Sequence, residues 1–269
     1  MRYYISVDME GISGLVDWND PQEKISQYMT QEVLAVIKGI KKKDPQSQIL
    51  VCDAHDKGQN LKIMDLPSDV RMIQGPTRMY YMIEGYENHF DAAILLGYHA
   101  PVGTQRGLMD HSYSSSSFFE VRINDDPVGE AEINAILLSE ANTPVILMSG
   151  DNEFKKFSSL RFPDTHFVVT KDSIGKFCSD LVHPHLVHQQ LEEEVQRAIE
   201  HKDQMRMYAP KPPLHAEITV VNTLMADFAG TLPGVERLDG RKLSFTAKDG
   251  REMYRYLMSI LYLCIASKG

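Results

Sequence analysis

Three strand-like segments in the first hundred residues each run into residues that bind metals. Ile5-Ser6-Val7 runs into Asp8-Met9-Glu10, and Ile49-Leu50-Val51-Cys52 runs into Asp53-Ala54-His55. Ala93-Ile94-Leu95-Leu96-Gly97-Tyr98 runs into His99. Carboxylates and imidazoles are donors for divalent first-row metals. Open α/β sheets place their sites at the carboxyl ends of strands. Three such ends on one edge predict an acidic, histidine-containing pocket suited to metal-assisted hydrolysis. Residues two apart on an extended chain point to the same side, so Asp8 and Glu10 can both face that pocket. Two neighbouring metals could share one carboxylate, and Asp8, at the central strand's end, is the natural bridge.

Each donor taken alone also has a plainer reading. Asp8 and Glu10 read as helix-cap or turn acids, and His55 and His99 as structural histidines. Asp53 reads as a ligand or as an acceptor that orients a histidine. His111 lies in a glycine-containing loop long enough to reach over the strand ends, where a free histidine could act as general acid/base or electrophilic donor. Glu130 follows the turn Asn124-Asp125-Asp126-Pro127 and stands in a helix's first turn, where the helix dipole alone favours a carboxylate. His183, His185 and His188 read as a surface cluster, and His89, His166, His201 and His215 show no partner pattern. Gly11-Ile12-Ser13-Gly14 suits a tight loop but is no nucleotide fingerprint. Ser115 lies in no G-x-S-x-G elbow.

The elements that must position these donors are legible as alternating patterns. Strands are expected near 2–7, 48–53, 70–74, 91–96 and 144–149, and helices near 21–43, 77–85, 128–141 and 151–160. In the 21–43 segment Ile25, Met29, Val33, Leu34, Ile37 and Ile40 follow helical spacing, and Lys41-Lys42-Lys43 suits a helix C-terminus. Such alternation implies an α/β fold, a mainly parallel central sheet flanked by helices in three layers. Residues 118–124 alternate as a further strand. The chain's character changes near residue 175, into a polar helix over 183–202, a Pro-rich linker at 209–213, two strands near 215–221 and 242–247, and a last apolar helix. The expected division is a metal-binding catalytic domain over 1–175 and a smaller C-terminal α+β domain over 176–269.

Composition narrows the function. The 269 residues are 43% hydrophobic and 24% charged, enough to bury a proper core. A formal net charge of -9 argues against a nucleic-acid partner. No apolar stretch reaches the length of a membrane span. Met1-Arg2-Tyr3-Tyr4 leads directly into a strand with no apolar signal region. The three cysteines are too scattered for a disulfide framework and read as reduced thiols. A cytoplasmic protein is expected.

With these residues in view, the sequence resembles the bacterial binuclear zinc D-aminopeptidases of the dipeptide-transport-operon type, which self-compartmentalise into rings. The resemblance is most specific at Ser6–Gly14, Asp53-Ala54-His55, Leu96–Ala100 and Ile123–Glu130. It extends to Met109-Asp110-His111-Ser112, where the spacing from His99 is one residue longer than in the family, and to Phe245–Asp249. It implies two zinc ions per subunit, with ligands Asp8, Glu10, His55, His99 and Glu130, and a catalytic role for His111. It demotes Asp53 to a supporting role. It implies hydrolysis, through a metal-activated water, of short peptides with an N-terminal D-residue, in a homodecamer of two stacked rings. The rival readings are another binuclear metallohydrolase (an amidase, esterase or phosphoesterase) and a non-catalytic peptide-handling oligomer. A phosphoesterase would want clustered cations, and Lys57, Arg106 and Arg122 form no cluster.

Overall fold

Every side chain from Tyr3 to Val7 is buried, so this strand needs hydrogen-bonding partners on both edges and cover on both faces. The computed structural model, which describes residues 1–268, supplies both. In chain order the elements are β1 (Arg2–Val7), α1 (Gln22–Lys43), β2 (Gln48–Asp53), β3 (Val70–Ile73), β4 (Ala92–Leu96), β5 (Phe118–Ile123), β6 (Asp126–Pro127) and α2 (Glu130–Glu140). There follow β7 (Val145–Asp151), α3 (Asn152–Ser158), β8 (His166–Gly175), β9 (Cys178–Leu181) and α4 (Pro184–Glu200). The chain ends with β10 (Leu214–Val220), α5 (Thr223–Ala229), β11 (Glu236–Arg237), β12 (Lys242–Ala247) and α6 (Gly250–Ala266).

β1 pairs in parallel with β2 on one edge and β4 on the other. The whole sheet runs β3-β2-β1-β4-β7-β8-β9 and is parallel except for its last pair. A second, antiparallel sheet runs β11-β12-β10-β5-β6. The helix-flanked, mainly parallel fold with a smaller unit is therefore present as the sequence predicts.

Alternation along the strands divides the core in two. Tyr3, Ile5 and Val7 face a layer built from α1 and α4, together with Ile49, Val51, Ile94 and Leu96. Tyr4 faces the other way, with Leu50, Ala93, Leu95 and Met148, into a core shared with α2, α6 and the second sheet. The two outer helices pack closely because Gly39 of α1 has no side chain. A Cβ there would stand 2.3 Å from Val195 Cγ1 and 2.5 Å from Glu192 O.

One expectation needs correction, and the strand pairing adds to the rest. The apolar run over 77–85 forms not a helix but two short 3₁₀ turns, Tyr81–Ile83 and Tyr86–Asn88. Left-handed backbone at Tyr81 and Gly85 interrupts it, while buried Met82, Ile83 and Tyr86 give the helix-like spacing. Strands β8 and β9 and helix α5 went unread. The two sheets also do not part at residue 175. β9 pairs with β8, and α4 packs on α1. Meanwhile β5 and β6, from the first half, complete the second sheet, because β10 takes β5 as its second antiparallel neighbour.

The sheet edge that carries the donors is tightly drawn. The Gly11 amide donates to Gly97 O at 2.7 Å, stitching the loop after β1 to the end of β4. A Cβ on Gly11 would lie 2.1 Å from Tyr98 O and 2.8 Å from Gly150 Cα, both backbone atoms with no room to move. Gly11→Ala is therefore expected to destabilise the fold by about 3 kcal/mol or more, lowering Tm by roughly 6–12 °C. Gly175→Ala, whose Cβ meets nothing, should melt within about 1 °C of wild type. A thermal melt of the pair decides, and equal Tm values would show that the close approach is absent.

Candidate metal centre

The strand order β2-β1-β4 sets three carboxyl ends side by side. Asp8 follows β1, His55 follows β2 and His99 follows β4, and backbone bonds tie them in step. Asp8 N donates to Leu96 O and Ala54 N to Val7 O, each at 2.8 Å. Ser6, on the same face as Asp8, bonds the Tyr98 hydroxyl at 2.6 Å. Asn134 of α2 donates to that hydroxyl at 3.0 Å and accepts from Tyr113 at 3.1 Å. A buried polar chain thus links β1, β4, α2 and the His111 loop beneath the site.

The donors gather in two groups that share Asp8. In one, His55 Nδ1 lies 3.2 Å from Asp8 Oδ1 and 3.3 Å from Glu10 Oε2. In the other, His99 Nε2 lies 3.5 Å from Asp8 Oδ2 and 3.3 Å from Glu130 Oε2. Two donors about 2.1 Å from one tetrahedral ion stand roughly 3.3 Å apart, so both groups have ligand spacing. Asp8 turns one oxygen to each. His111 joins with Nε2 3.7 Å from Glu130 and 3.9 Å from Glu10. Asp8, Glu10, His99 and Glu130 are buried, and His55 and His111 reach the cavity from its rim.

Glu10, Glu130, His99 and His111 are each held by a second polar atom. Trp18 Nε1 donates to Glu10 Oε1 at 2.6 Å, and Tyr113 N donates to Glu130 Oε1 at 2.6 Å. His99 Nδ1 donates to Ala100 O at 2.8 Å and His111 Nδ1 to Met109 O at 3.0 Å, which turns both Nε2 atoms toward the cluster. Met109 and Tyr113, flanking His111, both take left-handed backbone, with φ of 47° and 57°. Such conformations cost about 1–3 kcal/mol each and persist where the surroundings impose them. The Trp18 edge and the stacked His99 ring, 4.2 Å away, confine the His111 imidazole.

Asp8 Oδ2, Glu10 Oε2 and His99 Nε2 are buried with no hydrogen-bond partner. Buried polar atoms are normally satisfied, and one cation per group would satisfy all three. The protonation equilibria agree. Burial, and then the Glu10 charge, push the Asp8 carboxyl up to about 7. Burial alone would lower His99, but Glu130 and the other carboxylates push it up to about 10. Against burial, His55 and then His111 hold Glu10 low. Burial and the His99 charge lower His111. These shifts mark a site where positive charge is favoured, and these residues suit zinc by donor type, number and spacing.

The remaining acid and histidines lie elsewhere. Asp53 turns from the cluster and accepts from Asn60 N, Asn60 Nδ2, Leu61 N and Gln74 Nε2 at 2.6–3.0 Å. Asn60 also donates to His55 O at 2.9 Å, so Asp53 steadies the His55 loop rather than ligating or orienting a histidine ring. His183, His185 and His188 stay at the start of α4, with His183 accepting from His185 N. His166 has partners the sequence did not suggest, Glu194 and His201. Trp18 was missed as a site residue. The available signal was that it is the chain's one tryptophan, in a polar Asp17-Trp18-Asn19-Asp20 loop soon after Glu10.

The D-aminopeptidase family profile matches residues 1–259. The chain belongs to the D-aminopeptidase family. It is 31% identical over 275 aligned residues to a curated D-aminopeptidase of Bacillus subtilis (strain 168), covering 98% of each chain. Its fold is similar to that of a solved structure, the Zn-dependent D-aminopeptidase DppA from Bacillus subtilis, described as a self-compartmentalizing protease. The TM-score is 0.93 at 30% identity, over 98% of both chains. Within this family member the donors that strand ends predicted and those that the resemblance added come together at one sheet edge.

Ligation needs Asp8 ionised and His55 and His99 neutral, whereas without a cation these groups hold protons into the neutral range or above. Falling pH therefore opposes metal binding. Zinc affinity is expected to drop between pH 8 and pH 6 by about tenfold per unit for each proton displaced. Chelator-competition titrations at the two pH values measure it, and equal affinities would exclude these groups as ligands.

Proposed function

We propose that the protein is a zinc-dependent aminopeptidase that hydrolyses short peptides bearing an N-terminal D-residue. The observation that carries the reading is the pair of donor groups joined through the two oxygens of Asp8. On this reading each subunit holds two zinc ions, one by Asp8, Glu10 and His55 and the other by Asp8, His99 and Glu130. Zinc bound there supplies Lewis acidity toward a peptide carbonyl and acidifies an attacking water. His111 Nε2, an acceptor at neutral pH, takes a proton from the attacking side and returns it to the leaving amine.

The cavity over the centre is about 350 Å³, a size for a dipeptide rather than a folded chain. Trp18, Tyr81, Met82 and Tyr113 give it apolar walls, and Asp56 stands at its rim as a further carboxylate for an α-ammonium group. Among the described residues no lysine or arginine lines it, which weighs against a phosphate ester. The D-preference and an assembly enclosing the site rest on kinship with a D-aminopeptidase described as self-compartmentalizing. The specific assembly is the homodecamer of two rings. Among the described residues no helix is long and apolar enough to cross a membrane. With three free cysteines, the reading keeps the protein in the reducing cytoplasm.

Amino-acid release from D-Ala-D-Ala and L-Ala-L-Ala, with chelation and zinc add-back, tests the reading. Chelator-sensitive release from the D-dipeptide alone is expected. Equal or faster cleavage of the L-dipeptide would overturn the stereochemistry, and release that survives metal removal would overturn the mechanism. His111→Ala should keep both zinc ions while kcat falls roughly 100-fold or more. Wild-type turnover in that variant would remove His111 from the proton transfer.

A further inference from the structure

The loop from Glu10 to Leu15 joins a ligand-bearing strand end to Trp18 and turns four carbonyls inward. Lys171 of β8 is fully buried. Its ammonium donates to Glu10 O at 2.8 Å, Ile12 O at 2.6 Å and Leu15 O at 2.6 Å. Three protons meet three acceptors, and no carboxylate lies within ion-pair distance among the described residues. The adjacent Thr170 hydroxyl takes the fourth carbonyl, Gly11 O, at 2.5 Å. On the amide side of the same loop, buried Glu32 of α1 accepts from Ser13 N at 2.7 Å. The loop is gripped by an ammonium on its carbonyls and a carboxyl on one amide, from two elements distant in sequence.

Burying an ammonium is costly, and a methionine would fill the same space. What only the ammonium does is draw three carbonyls to one point, which fixes the backbone at Glu10 and the path to Trp18. Those two residues meet at the Trp18 Nε1 to Glu10 bond. We propose that Lys171 is a positioning residue for the metal centre, acting through the 10–15 loop on Glu10 and Trp18, with Glu32 as its counterpart on the amide side. The inference rests on the zinc reading above.

Zinc titration of the purified full chain, read alongside Trp18 fluorescence, tests it. The chain has one tryptophan, so emission reports on this loop alone. Lys171→Met should weaken zinc binding roughly 10–100-fold and shift the emission. Leu243→Ala, a core truncation in β12 of the second sheet, in a different core from Ile12 and Leu15, should lower Tm while leaving zinc affinity and emission unchanged. Should Lys171→Met not fold, Thr170→Val and Glu32→Gln serve, with smaller losses of zinc affinity in the same direction. Wild-type zinc affinity and emission in the folded loop variants would overturn the positioning role while leaving the metal reading intact. A wild-type protein that binds no zinc would overturn both.

Discussion

Three buried carboxylates within reach of one another are the constraint around which this fold is arranged. Asp8, Glu10 and Glu130 would repel strongly in a site of low dielectric, and removing each from water is costly. Two histidines held protonated relieve part of the conflict, but they leave acceptor atoms of Asp8 and Glu10 without partners. Divalent cations resolve it more fully, since each would replace protons and satisfy the orphaned atoms together. The preference for a cation is thus written into the crowding of these like charges. The fold tolerates that crowding because the donors stand on strands whose backbone bonds are complete.

Such an arrangement demands close backbones. For Asp8 to face both His55 and His99, β1 must lie between β2 and β4, and the loop after it must pass directly over the end of β4. Gly11 against Tyr98 O and Gly150 against the same carbonyl show how little space remains. A second layer then holds several of these side chains by a spare atom: an indole for Glu10, a backbone amide for Glu130, backbone carbonyls for the His99 and His111 imidazoles. Since those atoms come from loops over 18–20, 100–101 and 109–113, the loops are fixed by the centre as much as they fix it.

This division explains what the sequence disclosed. Asp8, Glu10, His55 and His99 were legible because each directly follows a run of apolar residues whose end defines the sheet edge, a purely local pattern. Glu130 and His111 were ambiguous from the residues alone. A first-turn glutamate looks the same whether it serves a helix dipole or a metal, and a loop histidine reveals its direction only when the loop is folded. The family resemblance, not spacing, promoted them. Lys171 and Glu32 were invisible because their partners are backbone atoms about 160 and 20 residues away, respectively, which leave no side-chain pattern. The 77–85 segment misled because buried Met82, Ile83 and Tyr86 mimic helical periodicity while left-handed backbone at Tyr81 breaks the helix. The supposed boundary at 175 followed composition, whereas sheet membership follows strand pairing.

Charge then argues for the kind of substrate. If two dications bind, as proposed above, they outweigh the three carboxylates by a single charge, and among the described residues no lysine or arginine in the lining would add to it. A phosphate ester would bring one or two negative charges and find few donors, since phosphate sites normally gather arginines, lysines or helix N-termini. A short peptide brings a neutral carbonyl for the centre and an amino-terminal ammonium for the acidic rim at Asp56. Its polar backbone can be met by Gln22, Asn60, Ser114 and Ser115. On the proposed two-zinc reading, an acidic site brought near neutrality, with aromatic walls and polar edges, suits the neutral carbonyl and amino-terminal ammonium of a short peptide better than a phosphate ester.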